Sequence, residues 1–211
     1  MTRRAQRLPH GLYLVTPECD DDARLAARVG AALTGRPVLV QYRNKRAAAA
    51  QRLAQASQLR MLCRAAGVPF IVNDDVALAL EVDADGVHIG RDDGAVDAVR
   101  ARIGARLLGV SCYNDFARAE AAAAAGADYV AFGAMFASST KPAAPPADIA
   151  LLTRARAALP VGVVAIGGIA LDNAPALVAA GASQLAVVSD VFDAPDPGAR
   201  AAAYRALYAK D

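Results

Sequence analysis

Two groups of aspartates follow consecutive apolar runs of the chain and could hold a divalent metal ion. Asp74 and Asp75 follow Asn73 after the run that ends at Val72, and Asp92 and Asp93 come after the next run. Carboxylates from neighbouring loops, completed by substrate phosphates, are the ligands that Mg²⁺ prefers. An aspartate ahead of a helix can instead cap it. We therefore assign Asp74 and Asp93 to one Mg²⁺ ion, and Asp75 and Asp92 to helix capping.

Lysine is rare in this chain, and two lysines follow apolar runs. Only three of the 23 basic residues are lysines, and of these Lys45 and Lys141 stand where a binding site would lie. A compact ammonium group is a good phosphate ligand. The alternative is a chance position on a charged surface. Lys141 lies in the proline-containing segment Ala134–Pro146, which is either a binding loop or a stiff connection.

A second anion site is indicated by glycine turns late in the chain. Gly167 and Gly168 precede a predicted helix near Asn173, and Val188 and Ser189 end a later apolar run. Backbone N–H groups of glycine turns and helix N-termini bind phosphate. Together with the lysines and aspartates, this pattern suggests one monophosphate substrate and one Mg²⁺-bound diphosphate or polyphosphate substrate.

A nucleophile–base pair is not evident in the sequence. His10 precedes the first apolar run, and His88 lies within the fourth, where we expect it to pack. Cys112 stands next to Ser111, but without a histidine to activate it we interpret it as a small buried side chain.

Short β-type runs alternate with alanine-rich helical stretches along the whole chain. The predicted strands are Gly11–Val15, Pro37–Tyr42, Pro69–Val72, Gly86–Ile89, Leu107–Val110, Tyr129–Phe132, Gly162–Ala165 and Gln184–Val188. The predicted helices are Asp22–Leu33, Ala47–Ala66, Val76–Val82, Val96–Ile103, Asp115–Ala125, Asp148–Ala158, Asn173–Ala180 and Ala199–Ala209. Eight βα units predict an α/β fold, a (β/α)8 TIM barrel forming a single domain over 1–211. A doubly wound open sheet is the alternative, but it rarely needs eight such regular units.

In a TIM barrel the carboxyl ends of the strands form the active-site rim, and a phosphate site often follows strands seven and eight. The aspartates and the two lysines described above fall on that rim, and the Gly167-Gly168 turn follows strand seven.

Composition limits the classes of partner. A net charge of +2 without a basic run argues against nucleic acid. No apolar run is long enough to span a membrane. Three widely spaced cysteines are typical of reduced thiols. We therefore expect a cytoplasmic protein whose partners are small phosphorylated molecules. The sequence is also compatible with a homo-oligomer.

The strand-end motifs together resemble those of the thiamine-phosphate synthase family. They read GLYLVTPE, VQYRNK, FIVNDD, ADGVHIGRDD, LLGVSCYN, ADYVAFGAMFASSTK, VVAIGGI and VVSDVF, and they cover the chain from Gly11 to about Phe192. The resemblance implies a TIM-barrel transferase that joins hydroxymethylpyrimidine pyrophosphate to hydroxyethylthiazole phosphate, giving thiamine phosphate and pyrophosphate.

The resemblance also implies roles for individual residues. It places the pyrimidine substrate and its pyrophosphate on Gln41, Arg43, Lys45, Asn73, Ser111 and Lys141. It places the thiazole phosphate on Ser138, Ser139, Thr140, Gly168, Val188 and Ser189. Asp74 and Asp93 are the implied Mg²⁺ ligands, as the residues themselves suggest. We expect Arg43, Lys45, Lys141 and Ser111 to take part in catalysis, and we add Gly167 to the phosphate site.

Some positions depart from the commoner family pattern. Tyr42 and Asn44 stand where many members have Leu and Glu, Tyr113 where many have His, and Ser138 and Ser139 replace a Thr-rich lead-in. These changes leave the metal ligands and the lysines in place and concern fine positioning.

Three other readings stay open. A thiazole tautomerase-like isomerase would use a histidine after strand five, where this chain has none. A phosphate-binding barrel of tryptophan or histidine biosynthesis would not need the VQYRNK and NDD clusters. A non-catalytic barrel would bind thiamine phosphate without turnover.

Overall fold

Eight parallel strands close into a barrel in the computed structural model, which describes residues 8–137 and 147–209. Each strand pairs with the next in sequence, and the first also pairs with the eighth, Tyr13 lying opposite Ala186. The strands are β1 Gly11–Val15, β2 Leu39–Tyr42, β3 Phe70–Asn73, β4 Gly86–Ile89, β5 Leu107–Tyr113, β6 Tyr129–Phe132, β7 Gly162–Ile166 and β8 Gln184–Val187. The predicted TIM barrel is confirmed.

Helices connect the strands and surround the barrel. They are α1 Asp22–Leu33, α2 Ala49–Ala66, α3 Val76–Glu81, α4 Val96–Ile103, α5 Phe116–Ala124, α6 Ala150–Ala158, α7 Ala174–Ala179, α8 Ser189–Phe192 and α9 Pro197–Ala206. The short α8 was not predicted. Within the described residues, none of these helices has the length and apolar character to cross a membrane.

The predicted bounds differ most from the observed ones at the end of β5 and at the last helix. β5 continues to Tyr113 instead of ending at Val110, because the register against β6 shifts after Ser111 and pairing resumes at Tyr113. α9 begins at Pro197, two residues early, because the Asp196 side chain accepts the N–H of Ala199 and caps it.

The aspartate caps are confirmed at one predicted position and wrong at the other. Asp75 Oδ1 accepts the N–H of Leu78 at 2.9 Å and caps α3. Asp92 caps no helix, because α4 begins after Ala95, which makes no side-chain cap. The Gly94-Ala95 spacer moves the helix start beyond the reach of Asp92.

Side chains alternate between two apolar layers, as expected for strands covered on both faces. In β4, Val87 and Ile89 belong to the layer under the helices. The barrel interior contains Tyr13, Val15, Leu39, Ile71, Tyr129, Ala131, Val164 and Ala186. Gln41, His88 and Ser111 add polar side chains to this interior, where Gln41 hydrogen-bonds to Tyr13, and His88 to Tyr129 and Ser111.

Gly109 on β5 makes room for Tyr129, one of the two tyrosines in the barrel interior. A Cβ at this position would fall inside van der Waals contact of the Tyr129 ring. We expect Gly109→Ala to lower the free energy of unfolding by about 1–3 kcal/mol through overpacking. Urea denaturation measures this. The control is Gly30→Ala in α1, where a Cβ meets no atom within 4 Å and helix propensity should raise stability by up to about 1 kcal/mol. Equal stability of the two variants would contradict the interior packing.

Candidate active site

The two predicted metal ligands lie together at the carboxyl end of the barrel. Asp74 follows β3 with a left-handed φ of 63°, and its N–H donates to the carbonyl of His88 at 2.8 Å. Asp93 Oδ2 accepts the N–H of Gly90 at 2.7 Å. The carboxyl groups of Asp74 and Asp93 are close enough to shift each other's pKa. Backbone bonds to two neighbouring loops thus bring the carboxyl groups together.

The electrostatics of this pair are asymmetric. Burial opposes the charge on Asp74, but the Lys45 ammonium, 2.8 Å from Oδ2, and the contact with Asp93 hold the pKa of Asp74 below its usual range. Burial and the neighbouring Asp74 raise the pKa of Asp93. A second positive charge would stabilise both carboxylates.

The donor set fits Mg²⁺. Two adjacent carboxylates are hard oxygen ligands, and Mg²⁺ is commonly held by one or two carboxylates plus phosphates and water. No cluster of three His, Cys, Asp or Glu side chains suited to a metal occurs within the described ranges. Two carboxylates would leave the remaining Mg²⁺ ligands to substrate phosphates and water, and the assignment of Mg²⁺ to Asp74 and Asp93 stays a prediction.

A cavity of about 410 Å³ adjoins the carboxylates. Lys45, Asn73, Asp74 and Asp93 all line it, so four of the predicted site residues share one space. Arg52 of α2, which was not predicted, also lines the cavity. Its guanidinium lies 3.7 Å from the Asp75 carboxylate.

Arg43 does not line this cavity, although its neighbours Tyr42 and Asn44 do, and it is held by a residue that the sequence analysis did not identify. Arg43 Nη1 is 3.1 Å from Glu18 Oε1, and Glu18 Oε2 is 2.8 Å from Arg46 Nε. The Arg43 N–H also donates to Thr16 Oγ1 at 2.9 Å. The available signal was the TPE that ends the first strand motif, which places Thr16 and Glu18 on the rim.

Gln41 and Ser111 point into the barrel and are among its polar interior side chains. Gln41 is 4 % exposed and its Nε2 donates to the hydroxyl of Tyr13 at 2.6 Å. Ser111 Oγ lies 2.9 Å from His88 Nε2. His88 is buried, as predicted. Its hydrogen bond to Ser111, a residue predicted to bind the substrate, was not suggested by the sequence.

The predicted phosphate turn lies at the adjacent part of the rim. Gly167 and Gly168, with φ of 100° and 64°, follow β7. Asn173 Nδ2 donates to the Gly168 carbonyl at 3.0 Å and braces the turn. Val188 and Ser189 begin α8 after the neighbouring strand β8. The other predicted residues of this part, Ser138, Ser139, Thr140 and Lys141, lie outside the described residues.

The Gly168 turn tolerates no side chain. A Cβ there would clash with the Ala137 carbonyl and stand 2.8 Å from Phe136 Cβ. We expect Gly168→Ala to weaken binding of a phosphate monoester at least tenfold, as measured by calorimetric titration, because the turn must open. The control is Gly67→Ala, with a similar φ of 68° but open space, at the end of α2. It should lose stability only, and equal phosphate affinity in both variants would contradict this site.

Fold and site together define a class of protein. A closed parallel barrel with carboxylates, a lysine and a glycine turn at the carboxyl ends of its strands is a TIM barrel suited to phosphorylated substrates.

Comparison with known proteins specifies the family. The family model described as "Thiamine monophosphate synthase" matches residues 12–191, so the chain belongs to that family. A thiamine-phosphate synthase of Aromatoleum aromaticum is 63 % identical over 199 residues, which cover 94 % of this chain and 96 % of that protein. One from Azoarcus sp. is 64 % identical over 200 residues, covering 94 % and 97 %.

A solved structure shows the same likeness. The thiamine phosphate pyrophosphorylase of Pyrococcus furiosus superposes with a TM-score of 0.82 at 30 % identity, covering 93 % of this chain and 94 % of that one. The family and the enzyme class predicted from the sequence are thus confirmed. The roles of individual site residues stay predictions.

Proposed function

We propose that this protein joins hydroxymethylpyrimidine pyrophosphate to hydroxyethylthiazole phosphate, giving thiamine phosphate and pyrophosphate with one Mg²⁺ ion per subunit. The observation that carries the proposal is that Lys45, Asn73, Asp74 and Asp93 line one cavity. They do so in a chain 63 % identical to a protein named thiamine-phosphate synthase. This cluster suits a magnesium-bound diphosphate, whereas a phosphate-binding barrel with a monophosphate alone would not need it.

Asp74 and Asp93 would hold the Mg²⁺ ion. When bound, the ion supplies positive charge that offsets the negative charge developing on the leaving pyrophosphate. The residues of the chain have their own part in the same task. Lys45 is half-exposed at 54 %, so its ammonium can exchange Asp74 for a phosphate oxygen. Arg43 and Lys141 are the further cations we assign to the pyrophosphate.

The bond changes need little acid–base chemistry. The bond between the methylene carbon and the pyrophosphate oxygen breaks, and its electron pair leaves with pyrophosphate. The electron-rich aminopyrimidine supports the resulting cation. The lone pair of the thiazole nitrogen then forms the new carbon–nitrogen bond. No proton has to be moved in these two steps, which suits a site without a nucleophile–base pair.

Positioning by the chain supplies much of the rate. The glycine turn Gly167-Gly168 with Val188 and Ser189 would anchor the thiazole phosphate, while Gln41 and Ser111 hold the pyrimidine. Fixing two reactants in a reactive geometry contributes roughly 7–11 kcal/mol in favourable cases.

The decisive experiment supplies the purified protein with both phosphorylated substrates, with Mg²⁺ or with a chelator. We expect thiamine phosphate and pyrophosphate in equal amounts, and only with both substrates and the metal. Isomerisation of a thiazole phosphate without any pyrimidine substrate would identify a tautomerase-like isomerase. Binding of thiamine phosphate without turnover would identify a non-catalytic barrel.

We further propose a cytoplasmic location. Three free cysteines occur in the described residues, Cys19, Cys63 and Cys112, as is usual in a reducing compartment. Two phosphorylated substrates, which do not cross a membrane unaided, support the same location. Fractionation followed by the coupling assay tests it, and activity confined to a secreted fraction would contradict it.

A further inference from the structure

A chain of hydrogen bonds crosses the barrel interior between two predicted substrate ligands. It starts at Gln41, whose Nε2 donates to the Tyr13 hydroxyl at 2.6 Å. The Tyr13 and Tyr129 hydroxyl oxygens are 2.7 Å apart. The Tyr129 hydroxyl lies 3.3 Å from His88 Nδ1, and His88 Nε2 lies 2.9 Å from Ser111 Oγ. Three residues without an assigned role thus connect Gln41 to Ser111.

The rings of this chain are held rigidly. Tyr13 and Tyr129 are 1 % and 0 % exposed, and their rings meet edge to face with centroids 5.7 Å apart. His88 stacks on Tyr129 with centroids 5.6 Å apart. Gly109 leaves the space that the Tyr129 ring occupies. The hydroxyl and imidazole groups therefore have little freedom to choose other partners.

Burial imposes an order of donors along the chain. Because Gln41 donates to Tyr13, the Tyr13 hydrogen needs another acceptor, and Tyr129 supplies it. The Tyr129 hydrogen then points to His88 Nδ1, which must accept. A neutral His88 imidazole then carries its proton on Nε2 and donates it to Ser111 Oγ.

This order of donors determines which hydrogen-bonding groups of Gln41 and Ser111 remain available to a ligand. With its Nε2 used by Tyr13, Gln41 has its carbonyl Oε1 left as an acceptor. With its oxygen accepting from His88, Ser111 has its hydroxyl hydrogen left as a donor. An aminopyrimidine presents the complementary pair, an amino N–H donor beside a ring-nitrogen acceptor.

We propose that Tyr13, Tyr129 and His88 are positioning residues that set Gln41 as an acceptor and Ser111 as a donor for the aminopyrimidine ring. The inference rests on the proposed function and names how its pyrimidine substrate is recognised. Tyr13, Tyr129 and His88 act through Gln41 and Ser111 and do not themselves contact the reacting atoms.

Tyr129→Phe cuts the chain in the middle and preserves the ring. We expect the KM for the pyrimidine substrate to rise roughly threefold to tenfold, the loss of one ordered hydrogen bond, while the KM for the thiazole phosphate stays unchanged. Tyr208→Phe is the control, since its hydroxyl donates to the Ala182 carbonyl at 3.2 Å, remote from the chain. A role in stability alone would leave both KM values unchanged or shift them together, and either result would overturn the proposal.

A double-mutant cycle tests the coupling directly. Gln41→Met and Ser111→Ala should be non-additive in kcat/KM for the pyrimidine substrate, because each change releases the other end of the chain. In the Tyr129→Phe background the same two changes should become additive. Equal coupling in both backgrounds would show that the hydrogen-bond chain does not connect the two ends.

The tautomer of His88 provides a readout that needs no turnover. The protein has two histidines. In a His10→Gln variant the nitrogen NMR signals of the remaining imidazole therefore belong to His88. We expect a neutral Nε2–H tautomer, and loss of that preference in Tyr129→Phe. An Nδ1–H tautomer would overturn the order of donors. If instead the wild-type protein made no thiamine phosphate but His88 kept the expected tautomer, the proposed function would fail and not the hydrogen-bond order.

Discussion

Replacing Asp93 by Ala is expected to abolish Mg²⁺-dependent release of pyrophosphate while the barrel stays folded. The variant removes one of two carboxylates that fit the metal and leaves Asp74 paired with Lys45 at 2.8 Å. A metal contributes several kcal/mol of charge stabilisation in such reactions, so turnover should fall by about 100-fold or more. Pyrophosphate release at several Mg²⁺ concentrations measures the loss, and circular dichroism verifies the fold.

Two further variants separate the metal role of Asp93 from its structural role. Its Oδ2 accepts the N–H of Gly90 at 2.7 Å, and Asp93→Asn keeps an oxygen acceptor while removing the charge. Asp93→Asn should therefore be nearly as inactive as Asp93→Ala. Asp92→Ala removes an exposed neighbouring carboxylate and should behave as wild type. Undiminished turnover in Asp93→Asn would refute the metal assignment.

Changing Lys141 to Ala should reduce kcat/KM by about 100-fold to 1,000-fold, the usual cost of losing one group that stabilises transition-state charge. Lys141 lies outside the described residues, but the described ends of its segment are at the rim. The Ala147 N–H donates to the Ala134 carbonyl at 2.8 Å, and the Ala137 carbonyl lies against Gly168. The described residues on either side of Lys141 thus lie beside the predicted phosphate turn.

The chain offers matched controls for Lys141. Lys141→Arg keeps the charge with a different shape and should recover part of the activity. Lys210→Ala changes the only lysine that was not predicted in the site and should leave kcat/KM unchanged. Steady-state kinetics with both substrates measures all three variants. A Lys141→Ala enzyme with near wild-type kcat/KM would show that the segment is only a connection.

Local signals in the sequence were enough to predict the barrel and most of its elements. The bounds of β1, β4 and β6 agree with the predicted strands, because glycine or aspartate turn signals lie next to short apolar runs. The cap of α3 by Asp75 was also predictable, since it depends on residues three apart. The extension of β5 to Tyr113 and the helix α8 were not predictable, because a register shift and a turn after β8 depend on neighbouring strands.

The predicted site residues were found because barrel topology brings strand ends together whatever the details of packing. Lys45, Asn73, Asp74 and Asp93 lie at or after the ends of three different strands and still line one cavity. The residue types and their places at strand ends were therefore determined by the sequence alone. The family resemblance assigned their roles, and those roles await the experiments above.

Only the tertiary structure decided which side chains act on one another. Glu18 holds Arg43 across 25 positions of the chain, and Tyr13 meets Tyr129 across 116. The bond from His88 to Ser111 likewise depends on how β4 and β5 are registered in the barrel. Such contacts leave no local pattern, because a side chain's partner across a barrel is set by strand register and interior volume. The sequence by itself determined a phosphate-handling barrel, and the closed barrel decided how its interior residues orient the site.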